Sequence, residues 1–181
     1  MSARASAKRY ARALFEVALE EAGPEQVGRD LASFADLVGR HAELAQVLTN
    51  PAIPAARKQG LVEQLAGRGN LVSPVKKLLG LLAHGNRLGL LALVNEAYQA
   101  RLLDHLNIVR AEVATAVPLG DERRRAIERG LGGLTGRTVS MTARVDPGIL
   151  GGVVARIGST VYDGSLKRQL ERMREKLAGG A

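Results

Sequence analysis

At 181 residues the chain is long enough for one ordinary domain or two small ones; 46% of it is hydrophobic but only 3% aromatic, so its core must come from Leu, Val, Ala and Ile. The absence of Cys excludes disulfide frameworks, thiol catalysis and thiolate metal sites, and no apolar run approaches the roughly 20 residues that cross a bilayer. The net charge of +8 is uneven, with 13 basic and 10 acidic side chains in residues 1–106 against 13 and 8 in residues 107–181. Such a bias suits either an acidic partner or a solvated Arg-rich surface.

The opening stretch is Arg-rich and free of acids until Glu16, as transit peptides are, but its helical pattern runs on through Glu20 and Glu21 and nothing marks a cleavage point. We therefore expect a bacterial chain without a presequence. Ala7, Tyr10 or Ala11, Leu14 and Ala18 make one helical stripe, widened by Phe15 and Leu19. Gly23-Pro24 ends that helix and opens the next, which carries Val27, Leu31, Phe34 and Val38. A short helix around Leu44, Val47 and Leu48 stops at Asn50-Pro51. Another begins at Pro54, carries Leu61, Val62 and Leu65, and breaks at Gly67 and Gly69. Ser73-Pro74 reads as an N-cap and first turn leading into Val75, Leu78, Leu79 and Leu82, closed by Gly85. The sixth helix holds Leu88, Leu91, Val94, Tyr98 and Leu102. Short links between these segments imply a compact bundle of about six helices.

Near Asn107 the period changes from 3.6 to two. Val109, Ala111, Val113, Thr115 and Val117 alternate with polar or small residues, and Pro118-Leu119-Gly120 ends the strand. Asp121 is the expected cap of a helix through Ile127, Leu131 and Leu134, stopped by Gly136. Val139, Met141, Ala143 and Val145 alternate in a second strand; Asp146-Pro147-Gly148 turns the chain, and Gly151-Gly152 opens a third strand running to Tyr162. Asp163-Gly164-Ser165 stops it, and Ser165 is placed to cap a basic amphipathic helix with Leu166, Leu170, Met173 and Leu177 on one face. The sequence thus predicts an α+β protein: a helical bundle over 1–105, then a β-α-β-β-α domain over 106–181 with its helices on one face of a three-stranded sheet.

No catalytic constellation emerges. His41, His84 and His105 are scattered over predicted helix ends without ligand spacing. No Gly-Lys-Ser/Thr occurs, Gly130–Gly133 follows a helix rather than a strand, and Gly148–Gly152 lies between strands. Asp146, Asp163 and Glu112 have structural roles available to them. Arg123-Arg124-Arg125 with Arg129 would make a phosphate-binding strip for RNA, yet Asp121, Glu122 and Glu128 offset it and the three tyrosines lie in separate elements. An RNA-binding helical bundle is the alternative function; no cofactor, metal or catalytic residue is expected.

Three blocks stand in order along the chain: Tyr10-Ala-Arg-Ala-Leu-Phe15; Asn86-Arg-Leu88, with Tyr98 and Ala111-Glu-Val-Ala-Thr-Ala-Val-Pro-Leu119; and Asp146, Gly151-Gly152 and Asp163-Gly164-Ser165-Leu166. Together they resemble the delta subunit of F-type ATP synthase, the family of the mitochondrial oligomycin-sensitivity-conferring protein. That resemblance implies a non-catalytic stator subunit, peripheral on the cytoplasmic face of a bacterial membrane and attached to it only through the complex. It implies that the bundle grips N-terminal segments of alpha subunits and that the C-terminal domain holds b subunits, with no nucleic acid and no small-molecule substrate. On helix one, Ala3, Ala7, Lys8, Ala11, Leu14 and Ala18 are the expected strip for the head, with Val75 and Leu79 of the fifth helix as the other wall. Ala11→Trp is accordingly expected to abolish head binding without loss of helix. Arg168 and Arg172 of the basic terminal helix are expected to face acidic stretches of the stalk.

Overall fold

A computed structural model describes residues 2–158 and 160–178, which form eight helices, one short 3-10 turn and four strands. They divide into two compact units, the boundary falling between His105 and Leu106. The side chains of Lys176, Leu177 and Ala178 lie outside the described set.

The first unit consists of α1 (Ala3–Glu21), α2 (Pro24–Arg40), α3 (Ala42–Thr49), α4 (Ala55–Arg68), α5 (Ser73–His84) and α6 (Leu91–His105). Helix α1 packs most closely on α6, and the reason is the size of its inward residues: Ala7, Ala11 and Ala18 leave room for the partner backbone, while Leu14 and Phe15 fill what remains. The Phe15 ring meets Tyr98 at 5.6 Å and the edge of His105 at 5.3 Å, closing the base of the helix pair. Tyr98 is fully buried and its hydroxyl donates to Pro24 O at 2.9 Å, which ties α6 to the first turn of α2; burial pushes the phenol up to about 12. Gly28 on α2 permits this crossing, because a Cβ there would sit 3.0 Å from Leu102 and 3.2 Å from Tyr98. Gln99 Nε2 then reaches Gly28 O at 2.9 Å.

Two caps differ from expectation. Val72, not Ser73, precedes α5, and its N–H is held by the Asp30 carboxylate of α2 at 2.7 Å. Gly120 precedes α7, so Asp121 is a first-turn acid favoured by the helix dipole rather than a cap. The left-handed residues after α4 and α5 are Asn70 and Asn86 rather than the neighbouring Gly69 and Gly85, and Asn107 takes the same conformation after α6. Asn86 also accepts from Lys58 Nζ, which is fully buried on α4 and would otherwise leave an ammonium without a partner.

The second unit comprises β1 (Ile108–Thr115), α7 (Asp121–Thr135), β2 (Thr138–Val145), β3 (Gly152–Ile157), β4 (Thr160–Ser165) and α8 (Leu166–Ala178). The α+β class is as expected, but the third strand is a hairpin. Gly158, at φ 58°, reverses the chain, and Ile157 pairs with Thr160, so the sheet has four strands in the order β2-β1-β3-β4. The β1–β2 pair is parallel and joined through α7, whereas β3 and β4 run antiparallel. Register places Val109, Ala111 and Val113 beside Val139, Met141 and Ala143, and Ala111 and Val113 beside Ile157 and Ala155 on the other side. These residues form one apolar face, covered by Ile127 and Leu131 of α7. Val117 and Val145, read as inward, lie past the covered part and are exposed. The expectation that both helices cover the sheet is also corrected: among its described side chains α8 buries none.

The two cores differ in depth. Among the described residues twenty-two buried side chains form the core of the bundle, and six form that of the second unit. At about 1.5–3 kcal/mol for each large aliphatic side chain, the bundle has far more to hold it together. Gly28→Ala is expected to lower the urea unfolding free energy of the bundle by about 1–3 kcal/mol through overpacking. Gly80→Ala, where a Cβ meets nothing within 4 Å, should instead raise it by up to about 1 kcal/mol through helix propensity.

Candidate interaction surfaces

The strip expected on α1 is largely filled from within. Ala7, Ala11, Leu14 and Ala18 are buried together with Val75 and Leu79 in the bundle core, whereas Ala3 and Lys8 are exposed. The surface of α1 is consequently defined by its margins. Along α6 a groove of about 300 Å³ is bordered by Arg4, Lys8, Leu93 and Glu96 and floored by Ala7, Ala97 and Ala100. On the other side a wider groove of about 810 Å³ runs past Ser6, Arg9, Tyr10, Ala13 and Glu16 to Arg87, whose Nη1 donates to the Tyr10 hydroxyl at 2.9 Å. Between α1 and α5, Lys77 reaches Glu21 at 3.2 Å, and Leu81 of α5 stands 63% exposed nearby in sequence. This exposed ion pair is worth little as stability.

In the second unit Gly151, Gly152, Asp163, Gly164 and Ser165 come together as a single clamp. Gly152 pairs with Ser165 across the hairpin at φ 88°, and a Cβ on it would collide with Gly164 O. A Cβ on Gly151 would lie 2.6 Å from the Leu166 side chain, and Leu166 N–H donates to Gly151 O at 2.9 Å. The Asp163 carboxylate accepts Ser165 N–H at 2.9 Å, and Ser165 Oγ accepts Arg168 N–H at 3.3 Å, so Ser165 caps α8 as its position suggested. The bond from Ser165 N–H first, then its hydroxyl and the Arg168 and Arg172 charges, hold the Asp163 carboxyl below its usual range. Asp146 lies apart from the clamp: its Oδ1 accepts Gly148 N–H at 3.0 Å, its N–H donates to Thr115 O at 2.8 Å, and Arg144 approaches at 3.8 Å. It fixes the turn between β2 and β3.

Beyond the clamp α8 carries Leu166, Leu170 and Met173 at 48%, 64% and 62% exposure, on a helix that also bears Lys167, Arg168, Arg172 and Arg174. Arg168 pairs with Glu171 at 3.3 Å. Leu150, next to the clamp in sequence, is 86% exposed. An apolar helix face left in water in this way is a candidate contact surface.

Residues 7–177 match the family described as ATP synthase delta (OSCP) subunit. This chain belongs to that family. An ATP synthase subunit delta from Anaeromyxobacter sp. (strain Fw109-5) is 42% identical over 171 residues, covering 94% of this chain and 96% of the relative. Its counterpart in Myxococcus xanthus (strain DK1622) is 39% identical over 173 residues, covering 94% and 95%. A chain in the Toxoplasma gondii mitochondrial ATP synthase hexamer shares the fold with TM-score 0.64 at 24% identity, over 95% of this chain and 97% of that one. A chain in the Polytomella F-ATP synthase F1 head and rotor aligns at TM-score 0.52 and 26% identity, over 55% and 87%. As a delta (OSCP) family member the chain is a subunit of the F-type complex, whose process is ATP synthesis coupled to ion transport. No described helix is long and apolar enough to cross a membrane.

Burial revises the expected effect of a bulky residue on α1. With Ala11 only 2% exposed, Ala11→Trp should destabilise the bundle by about 3 kcal/mol or more and lower helical content in circular dichroism, rather than abolish binding alone. For Asp163, lowering of the folded-state pKa means that its contribution is present above the ordinary value of 3.8 and is lost as pH falls through the lower one. The Ser165 amide resonance should therefore titrate with a midpoint below 3.8 in the folded chain, and an unshifted midpoint would remove the hydrogen bond as a feature of the clamp.

Proposed function

We propose that this delta (OSCP) family member is a non-catalytic stator connection: the helical unit grips N-terminal segments of alpha subunits, and the second unit holds the end of the b subunits. The catalytic head is thereby kept from turning with the rotor, and the chain sits peripherally on the cytoplasmic face of a bacterial membrane through the complex alone. The observation that carries this reading is the exposed apolar face of α8 above its rigid base. A capped helix offering Leu166, Leu170 and Met173 within two turns fits the side of a partner helix, and Arg168 and Arg172 flank it for acidic residues of the stalk. For the head, the grooves beside α1 replace the buried alanines as the accessible walls, with Lys8 at the rim of one and Ala3 exposed at the start of the helix. A contact that stands under torque needs affinity of nanomolar order, about 12 kcal/mol, and desolvated apolar anchors supply that better than rim charges.

Calorimetry with the full chain tests both ends. A peptide of the alpha N-terminus and a segment from the far end of the b stalk helix should each bind 1:1 and independently. Leu170→Asp with Met173→Asp should weaken the b segment by about 30-fold or more, the loss of roughly 2 kcal/mol of apolar burial, and leave the alpha peptide unaffected. Retention of full b affinity by this variant would take α8 out of the interface. Arg168→Glu with Arg172→Glu should weaken b binding mainly at low salt.

A further inference from the structure

We propose that the outer edge of β2, with Arg125, Arg129 and Arg137 above it, is a docking site for an acidic segment bound in extended conformation and added to the sheet as a strand. In the order β2-β1-β3-β4, one side of β2 is paired with β1 and the other meets no strand among the described residues. Helix α7 lies over β2, and between them runs a groove of about 600 Å³ lined by Arg125, Glu128, Arg129, Gly132, Arg137 and the first residues of β2. Gly132 lets the helix approach, since a Cβ there would lie 3.2 Å from Arg137 O.

From α7 the groove receives two guanidinium groups, Arg125 and Arg129, against one carboxylate, Glu128, while Arg137 makes a polar contact of its own. Asp121 and Glu122 stand in the first turn of α7, yet Arg125 makes no ion pair with them or with any other described residue, and Arg129 Nε turns to the Arg125 carbonyl at 3.3 Å. Positive charge along an open edge repels a second copy of the same edge and attracts an acidic one. A peptide backbone also satisfies the edge N–H and C=O groups, as strand addition does elsewhere. RNA fits less well, because Tyr162, the tyrosine of this unit, lies on β4 at the far side of the sheet and provides no stacking platform here.

The test is fluorescence anisotropy of the full chain with a labelled eight-residue peptide of alternating Thr and Glu at low salt. Saturable binding is expected, weakened about tenfold or more by Arg125→Glu with Arg129→Glu. Both residues are exposed, so circular dichroism of the variant should be unchanged. The same Thr-Glu peptide with every backbone nitrogen methylated keeps its charge but cannot donate to a ladder, and should also bind about tenfold more weakly. Amide exchange over 138–145 should slow with the unmethylated peptide alone. No saturable binding, equal binding by the double variant, equal binding of the methylated peptide, or tighter binding of oligouridine RNA would each overturn the proposal.

Discussion

A contact between two backbones, with no side chain between them, organises the whole C-terminal unit. Gly152 passes so close to Gly164 and Ser165 that a Cβ on it would collide with their backbone, and a Cβ on Gly151 would press on the Leu166 side chain. The approach sets the β3–β4 register, directs the chain out of β4 and fixes where α8 begins, with Ser165 as its cap and Asp163 holding the Ser165 amide. Because the base is held by backbone geometry and local hydrogen bonds, α8 needs no burial of its own apolar face to have a defined origin. That face stays exposed to water.

The helical unit solves the opposite problem. Its inward residues on α1 are small because α6 must lie close, and the volume they leave is taken by Leu14, Phe15 and Tyr98. A stripe of alanines has two physical meanings, a groove for a partner or a seam within one bundle, and here it is the seam. The surface that remains is made of the margins, where charged and polar side chains border shallow grooves. The deep core makes this unit the rigid one, while the thin core of the second unit leaves more of its surface chemistry at the edge strand and on α8.

Charge follows the same division. The excess of basic residues in residues 107–181 is not one patch: α7 places part of it over the edge of β2, α8 carries another part beside its apolar face, and Arg110, Arg144 and Arg156 stand on the strands. Two basic surfaces on one small unit, each next to a different unsatisfied feature, have different partners available to them.

Much of this was legible in the chain itself. The change of period near Asn107 determined two units of different class, Gly136 and Ser165 determined the ends of their helices, and the Asp-Gly-Ser and Gly-Gly pairs carried the family, because each depends on local geometry within a few residues. The hairpin at Gly158 was hidden, since a glycine within a run that alternates on both sides reads as a bulge as readily as a turn. The cap of α5 was hidden too, since its acceptor, Asp30, is 42 residues away. Only the tertiary structure decided which side of α1 is buried, that Gly28 is a crossing point, and that the apolar face of α8 stays in water. Periodicity reports that a face is apolar, but what covers it depends on contacts between residues far apart in sequence.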